Sequence, residues 1–104
     1  MKRKLIARPR AELDVIKHFV YLTEQNPPLA ARFKKSVKAA FASIAKSPTS
    51  CATVQFRSLP EIDLRFKRPA GFKNYLIYFQ VTDDCIFILR VLHASQNAES
   101  VLRP

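Results

Sequence analysis

The sequence predicts an α+β fold in which two helices form a hairpin turned toward a common sheet. Two long amphipathic segments fill residues 9–46 and meet at Asn26-Pro27-Pro28. Alternating or apolar segments of strand length fill most of the chain after Pro60. The segment "RKLIAR" before Pro9 is short and apolar at its centre, which adds a strand ahead of the helices. At 104 residues the chain suits one domain spanning residues 1–104.

Residues 3–8 are expected to form the first strand, ended by Pro9. Pro9 or Arg10 then opens a helix, with Glu12 and Asp14 near its exposed N–H groups. Leu13, Ile16, Phe19, Val20 and Thr23 recur at three- and four-residue spacing and predict the buried stripe of that helix, which ends near Gln25. His18 falls on its polar side and reads as a surface residue. Pro28 starts the second helix, whose Leu29, Phe33, Val37, Phe41 and Ile44 lie within a sector of about 120°. Arg32, Lys34, Lys35, Lys38 and Lys46 fill its opposite side, where any solvated helix places its lysines, and Pro48 closes it.

Residues 48–60 carry neither period and read as a surface connection with a short extended piece at Thr53–Phe56. "EIDLRFK" alternates Ile62, Leu64 and Phe66 with Asp63, Arg65 and Lys67, the pattern of a half-buried strand. "RPAGF" is a turn, and "NYLIYFQV" and "CIFILRVLH" form a hairpin around Asp83-Asp84. With Thr82 facing Cys85, Phe79 pairs with Ile88, Ile77 with Arg90 and Asn74 with His93. One face then carries Tyr75, Ile77, Phe79, Val81, Ile86, Ile88, Arg90 and Leu92. The other carries Leu76, Tyr78, Gln80, Phe87, Leu89, Val91 and His93. Arg90 and His93 are thereby separated. An unpaired guanidinium on the helix-facing side would be costly, so Arg90 is expected to pair with Glu12 or Asp14. Asn97 is placed to cap a last short helix, "AESVLRP".

Eighteen Lys and Arg against eight Asp and Glu give a net charge of +10. That potential attracts anionic partners: nucleic acid, an acidic protein segment or an anionic membrane surface. The longest apolar run, Cys85–Leu89, is far short of the roughly 20 residues a spanning helix needs. "MKRKLIARPRAEL" has the charges of a signal peptide without its apolar region, so a cytoplasmic location is expected. Cys51 and Cys85 fit no metal-ligand spacing and read as reduced thiols, and no cofactor is implied.

The order of elements, together with "TEQNP" between the helices, "GFKNYLIYFQVTDD" in the hairpin and "ILRVLHASQN" at its end, resembles the RelE/ParE superfamily of bacterial toxins over nearly the whole chain. The resemblance implies a β-α-α-β-β-β fold with the helical hairpin on a small, curved, mostly antiparallel sheet. It also implies an antitoxin whose C-terminal segment wraps the toxin. RelE-like members cut messenger RNA on the ribosome with basic residues on the open sheet face, whereas ParE-like members, the plasmid-stabilisation branch, poison DNA gyrase. The RelE-like arginines correspond here to Leu76, just after Tyr75, and to a position near Gln96, which favours the ParE-like branch. Two fixed cations for a phosphate transition state are then missing.

A nuclease alternative keeps His93 as proton-transfer group, with Arg65 and Lys73 nearby; the plainer role for such a histidine is a structural hydrogen bond. A third reading is a basic binding module without toxicity. The expected partner surface is the apolar group Leu76, Tyr78, Phe87 and Leu89, ringed by Arg65, Lys67, Arg68 and Lys73. An acidic, amphipathic antitoxin segment would cover it.

Overall fold

The computed structural model describes residues 2–58 and 61–102. Strand β1 (Lys4–Ala7) leads into α1 (Pro9–Gln25) and α2 (Pro27–Lys46). One 3-10 turn (Pro48–Ser50) follows, then strands β2 (Ala52–Val54), β3 (Leu64–Lys67), β4 (Tyr75–Val81) and β5 (Cys85–His93), and the short helix α3 (Ala98–Leu102). The sheet order is β1-β5-β4-β3-β2, antiparallel except where β1 runs parallel to β5. The expected α+β hairpin-on-sheet architecture is present. The extended piece expected at Thr53–Phe56 is the shorter β2, which starts one residue earlier and ends at Val54, and "EIDLRFK" is a strand only from Leu64. The last two residues of "AESVLRP" and the end of the 48–60 connection lie outside the described residues.

Asn26 makes the helical hairpin tight by serving both helices. Its backbone N–H donates to the Leu22 carbonyl at the end of α1, and its side chain accepts from the Leu29 N–H at the start of α2. Pro27 cannot extend α1 but suits the first turn of α2, so the sharp break is written locally. At the other end of the fold, Asn97 caps α3 by accepting from the Ser100 N–H at 3.1 Å, as expected.

Helix α2 buries Phe33, Val37 and Ile44 with Ala30 and Ala40, close to its expected stripe. Helix α1 does not follow expectation. Leu13, Ile16 and Val20 are 47%, 57% and 49% exposed, and the buried side carries Ala11, Asp14 and Leu22, with Val15, His18 and Phe19 half-buried. The reason lies in the sheet. Pairing of β1 with β5 ends at Ala7 and Ile88, so the outer edge of β5 beyond Ile88 has no strand beside it. Helix α1 crosses that edge and supplies polar partners instead: Asp14 accepts the Val91 N–H at 2.9 Å, and His18 Nε2 donates to the Val91 carbonyl at 2.8 Å. A buried edge must find such partners, which draws the polar stripe inward and leaves the apolar one outside.

The β4–β5 ladder starts as expected, with Thr82 closing on Cys85 and Phe79 opposite Ile88. A register shift between Tyr78 and Phe79 then places Arg90 opposite Tyr78 and Val91 opposite Ile77. The extra residue inverts the expected faces beyond it. Val91 packs with Ile77, Phe79 and Ile88 beneath the helices, and Leu92 turns to the far face with Leu64 and Tyr78. His93 faces Tyr75 rather than Asn74 and lies on the helix side, against expectation.

Candidate functional site

The far face of the sheet, expected to be open, carries a second apolar cluster. Leu64, Tyr78 and Leu92 are buried there, with Phe66, Leu76, Leu89, Phe56 and Ile62 partly so. Ala98, Val101 and Leu102 of α3 pack onto it. Sequence periodicity missed this because β3 turns its apolar side, Leu64 and Phe66, away from the helical hairpin. Of the four apolar residues expected to be exposed, Tyr78 is 7% exposed, and Leu76, Phe87 and Leu89 are half-buried.

The expected basic ring divides. Arg68 stacks its guanidinium over Phe66 at 5.1 Å and donates from Nε to the Lys73 carbonyl at 2.9 Å, which closes the β3–β4 turn. Gly71 in that turn has φ +80°. Arg8 lies over Phe87 at 4.8 Å, a cation on this face that the sequence did not single out. Arg65 and Lys67 alternate with Leu64 and Phe66 and so point to the helix side of β3. Arg65 is fully engaged there. It grips Asp63 at 2.9 and 3.4 Å and donates to the Thr49 and Cys51 carbonyls at 3.0 and 2.8 Å. Lys73 is exposed at the turn.

Burial holds the Tyr78 phenol above its usual ionisation range, with nearby Arg68 opposing. A raised phenol pKa means that the folded state holds its proton longer than the unfolded chain. The resulting stability is complete below pH 10 and is lost as pH climbs through the folded value. The melting temperature of wild type should therefore fall relative to that of Tyr78→Phe as pH climbs above 10. Parallel curves above pH 10 would show that Tyr78 carries none of this dependence.

His93, His18, Tyr21, Tyr75 and Ser95 line a polar cleft of about 260 Å³ on the helix side. Both imidazoles stand edge-on to Tyr75, at 5.0 and 5.1 Å between ring centres. His93 Nδ1 accepts the Ser95 N–H at 3.0 Å, and the His93 N–H donates to Gln96 Oε1 at 2.8 Å. His18, expected at the surface, is thus a structural donor, and among the described residues no Lys or Arg lines the cleft. Arg65 sits opposite Phe79, nearer the other end of β4 from Tyr75, so the structure does not bring His93 and Arg65 together.

Arg90 has the partner expected of it. Its Nε and Nη2 donate to the two oxygens of Asp14 at 2.7 and 2.8 Å, a bidentate pair that leaves the side chains 17% and 9% exposed. The hydrogen bond to Asp14 raises the guanidinium pKa further, against the opposing effect of burial.

A helical hairpin on a mixed five-stranded sheet, in a strongly basic chain, defines a small α+β protein of the RelE/ParE type. The family model for the ParE toxin of the type II toxin–antitoxin system, parDE, matches residues 5–98, and the chain belongs to that family. A search of curated proteins found no match. No described helix is long and apolar enough to cross a membrane.

Proposed function

We propose that the protein acts in the cytoplasm as a toxin that binds and inhibits DNA gyrase, does not cut RNA, and is neutralised by a cognate antitoxin. The observation that carries this reading is the setting of His93. Among the described residues its cleft contains phenols, a second imidazole and a serine but no Lys or Arg, and Gln96 is spent on capping the His93 N–H. A single acid–base group supplies about 10²- to 10⁴-fold, little beside the roughly 10⁶-fold or more that enzymes provide, when phosphate charge is left unopposed. Binding requires no such constellation. The half-buried Leu76, Phe87 and Leu89, with Arg68 and Arg8 stacked on neighbouring rings, offer a mixed apolar and basic surface for a macromolecular partner.

The test runs a supercoiling assay with purified gyrase beside a ribosome-programmed cleavage assay, each with wild type and His93→Ala. Supercoiling should be inhibited equally by both proteins, with messages intact. Site-specific cleavage that disappears in His93→Ala would move the protein to the nuclease alternative with His93, Arg65 and Lys73. Inactivity in both assays would favour the non-toxic basic binding module.

A further inference from the structure

A cavity of about 380 Å³ opens where the start of α1, the outer edge of β5 and α3 meet. Arg8 and Arg10, on either side of Pro9, line it together with Arg90, while Leu89 of β5 and Val101 and Leu102 of α3 supply its apolar side. Its size falls within the roughly 300–1,000 Å³ of small-molecule sites. Consecutive residues of a regular strand face opposite ways, so Leu89 and Arg90 would not share a cavity in one. They share this one because pairing passes from Phe79 with Ile88 to Tyr78 with Arg90, which leaves Leu89 as the extra residue of the bulge. The bulge thus aims an aliphatic and a cationic side chain at the same place, as bulges beside binding sites do.

The cations of this cavity are not equally spent. Arg90 gives Nε and Nη2 to the Asp14 carboxylate, which offsets its charge. Arg8 and Arg10 are exposed, and among the described residues neither has a carboxylate partner. Arg8 is held in place all the same. Its N–H donates to the Ile88 carbonyl at 2.9 Å, and its guanidinium lies over the Phe87 ring at 4.8 Å. Two uncompensated guanidinium forks therefore stand beside an aliphatic wall.

We infer that this cavity binds a small amphiphilic anion, a carboxylate or phosphate head on an aliphatic body. The head lies between Arg8 and Arg10, and the body lies against Leu89, Val101 and Leu102. Carboxylate and phosphate both present the pair of oxygens that a guanidinium grips in a bidentate way. Neither half of the ligand suffices alone. A bare anion gains little at exposed arginines in water, and a neutral alkyl chain leaves both forks unused. The ligand is a small molecule, whichever macromolecule the toxin acts on.

Calorimetric titration of the full-length protein tests this with neither gyrase nor ribosome present. The probes are octanoate and octyl phosphate, each kept below its micelle concentration, with octanol as the body alone and inorganic phosphate as the head alone. Octanoate, octyl phosphate or both should bind about tenfold or more tightly than octanol and than inorganic phosphate, and the tighter of the two assigns the head. Binding should weaken as salt rises, because the head meets exposed arginines. Arg8→Gln with Arg10→Gln should weaken the better probe about tenfold. Arg10→Gln alone, clear of the Phe87 stack, should weaken it by a smaller factor with the melting temperature unchanged. Val101→Ser should weaken the same probe about threefold and leave inorganic phosphate as it was. Octanol or inorganic phosphate binding as tightly as the better probe would overturn the inference. So would no binding of either complete probe, or wild-type affinity in the arginine variants or in Val101→Ser.

Discussion

Arg90→Ala is expected to lower the unfolding free energy by about 3 kcal/mol, because it strips a bidentate partner from a carboxylate that stays in the protein. Asp14 accepts three hydrogen bonds, two from Arg90 and one from the Val91 N–H. With Arg90 gone, the carboxylate keeps only the backbone donor in a site where its side chain is 9% exposed. The loss is the cost of an uncompensated charge, not the net worth of the ion pair against an apolar replacement. For a chain of this size it corresponds to a fall in melting temperature on the order of 12–20 °C. Arg10→Ala, at an exposed arginine on the helix that carries Asp14, is the control and should stay within about 0.5 kcal/mol of wild type. Equal midpoints for Arg90→Ala and Arg10→Ala would show that the pair contributes nothing to stability.

The consequences reach beyond one pair. Asp14 and His18 together satisfy the N–H and carbonyl of Val91, so α1 takes the place that a longer β1 would occupy along the edge of β5. Freeing the Asp14 carboxylate from Arg90 loosens one of the two ties between helix and strand edge. The strand most affected is the one that carries His93 and leads into α3.

Where local chemistry and burial agree, the fold is legible in the sequence. The buried face of α2 is wholly apolar, and Asn26 with Pro27 announces the break between the helices, so both follow from spacing alone. Helix α1 departs from its hydrophobic stripe because β5 has a backbone edge to satisfy and draws Asp14 and His18 inward. The bulge in β5 has no signal in the sequence: neither glycine nor proline lies between Cys85 and His93. One extra residue inverts Val91, Leu92 and His93. Arg90 has an expected partner on an unexpected face: the shift sets it opposite Tyr78, on the far side rather than the helix-facing one, and it meets Asp14 where α1 crosses the outer edge of β5. Of the expected partner surface, the apolar members were found on one face, but their covering by α3 depended on the unexpected direction of β3.

Phe33→Ala should be the most damaging single truncation in the helical hairpin, at about 3–5 kcal/mol, a large share of the 5–15 kcal/mol that holds a typical domain. Phe33 is fully buried, and its ring centre lies 4.9 Å from Tyr75, 5.3 Å from Phe72 and 6.1 Å from His18. It therefore joins four elements of the molecule: α2, the first residue of β4, the β3–β4 turn and α1. Truncation leaves a cavity that none of these can fill without moving. Phe72 is fixed by its N–H to the Pro69 carbonyl, and His18 is tied to Val91. Phe33→Leu keeps part of the volume and should cost less, whereas Ile16→Ala, on the wet stripe of α1, should change stability little. Urea unfolding separates the three. The midpoint should fall steeply for Phe33→Ala with the slope preserved, a change in stability rather than in the surface exposed on unfolding. A midpoint for Ile16→Ala as low as that for Phe33→Ala would mean that the apolar stripe of α1 is in the core after all, against its exposure in the structure.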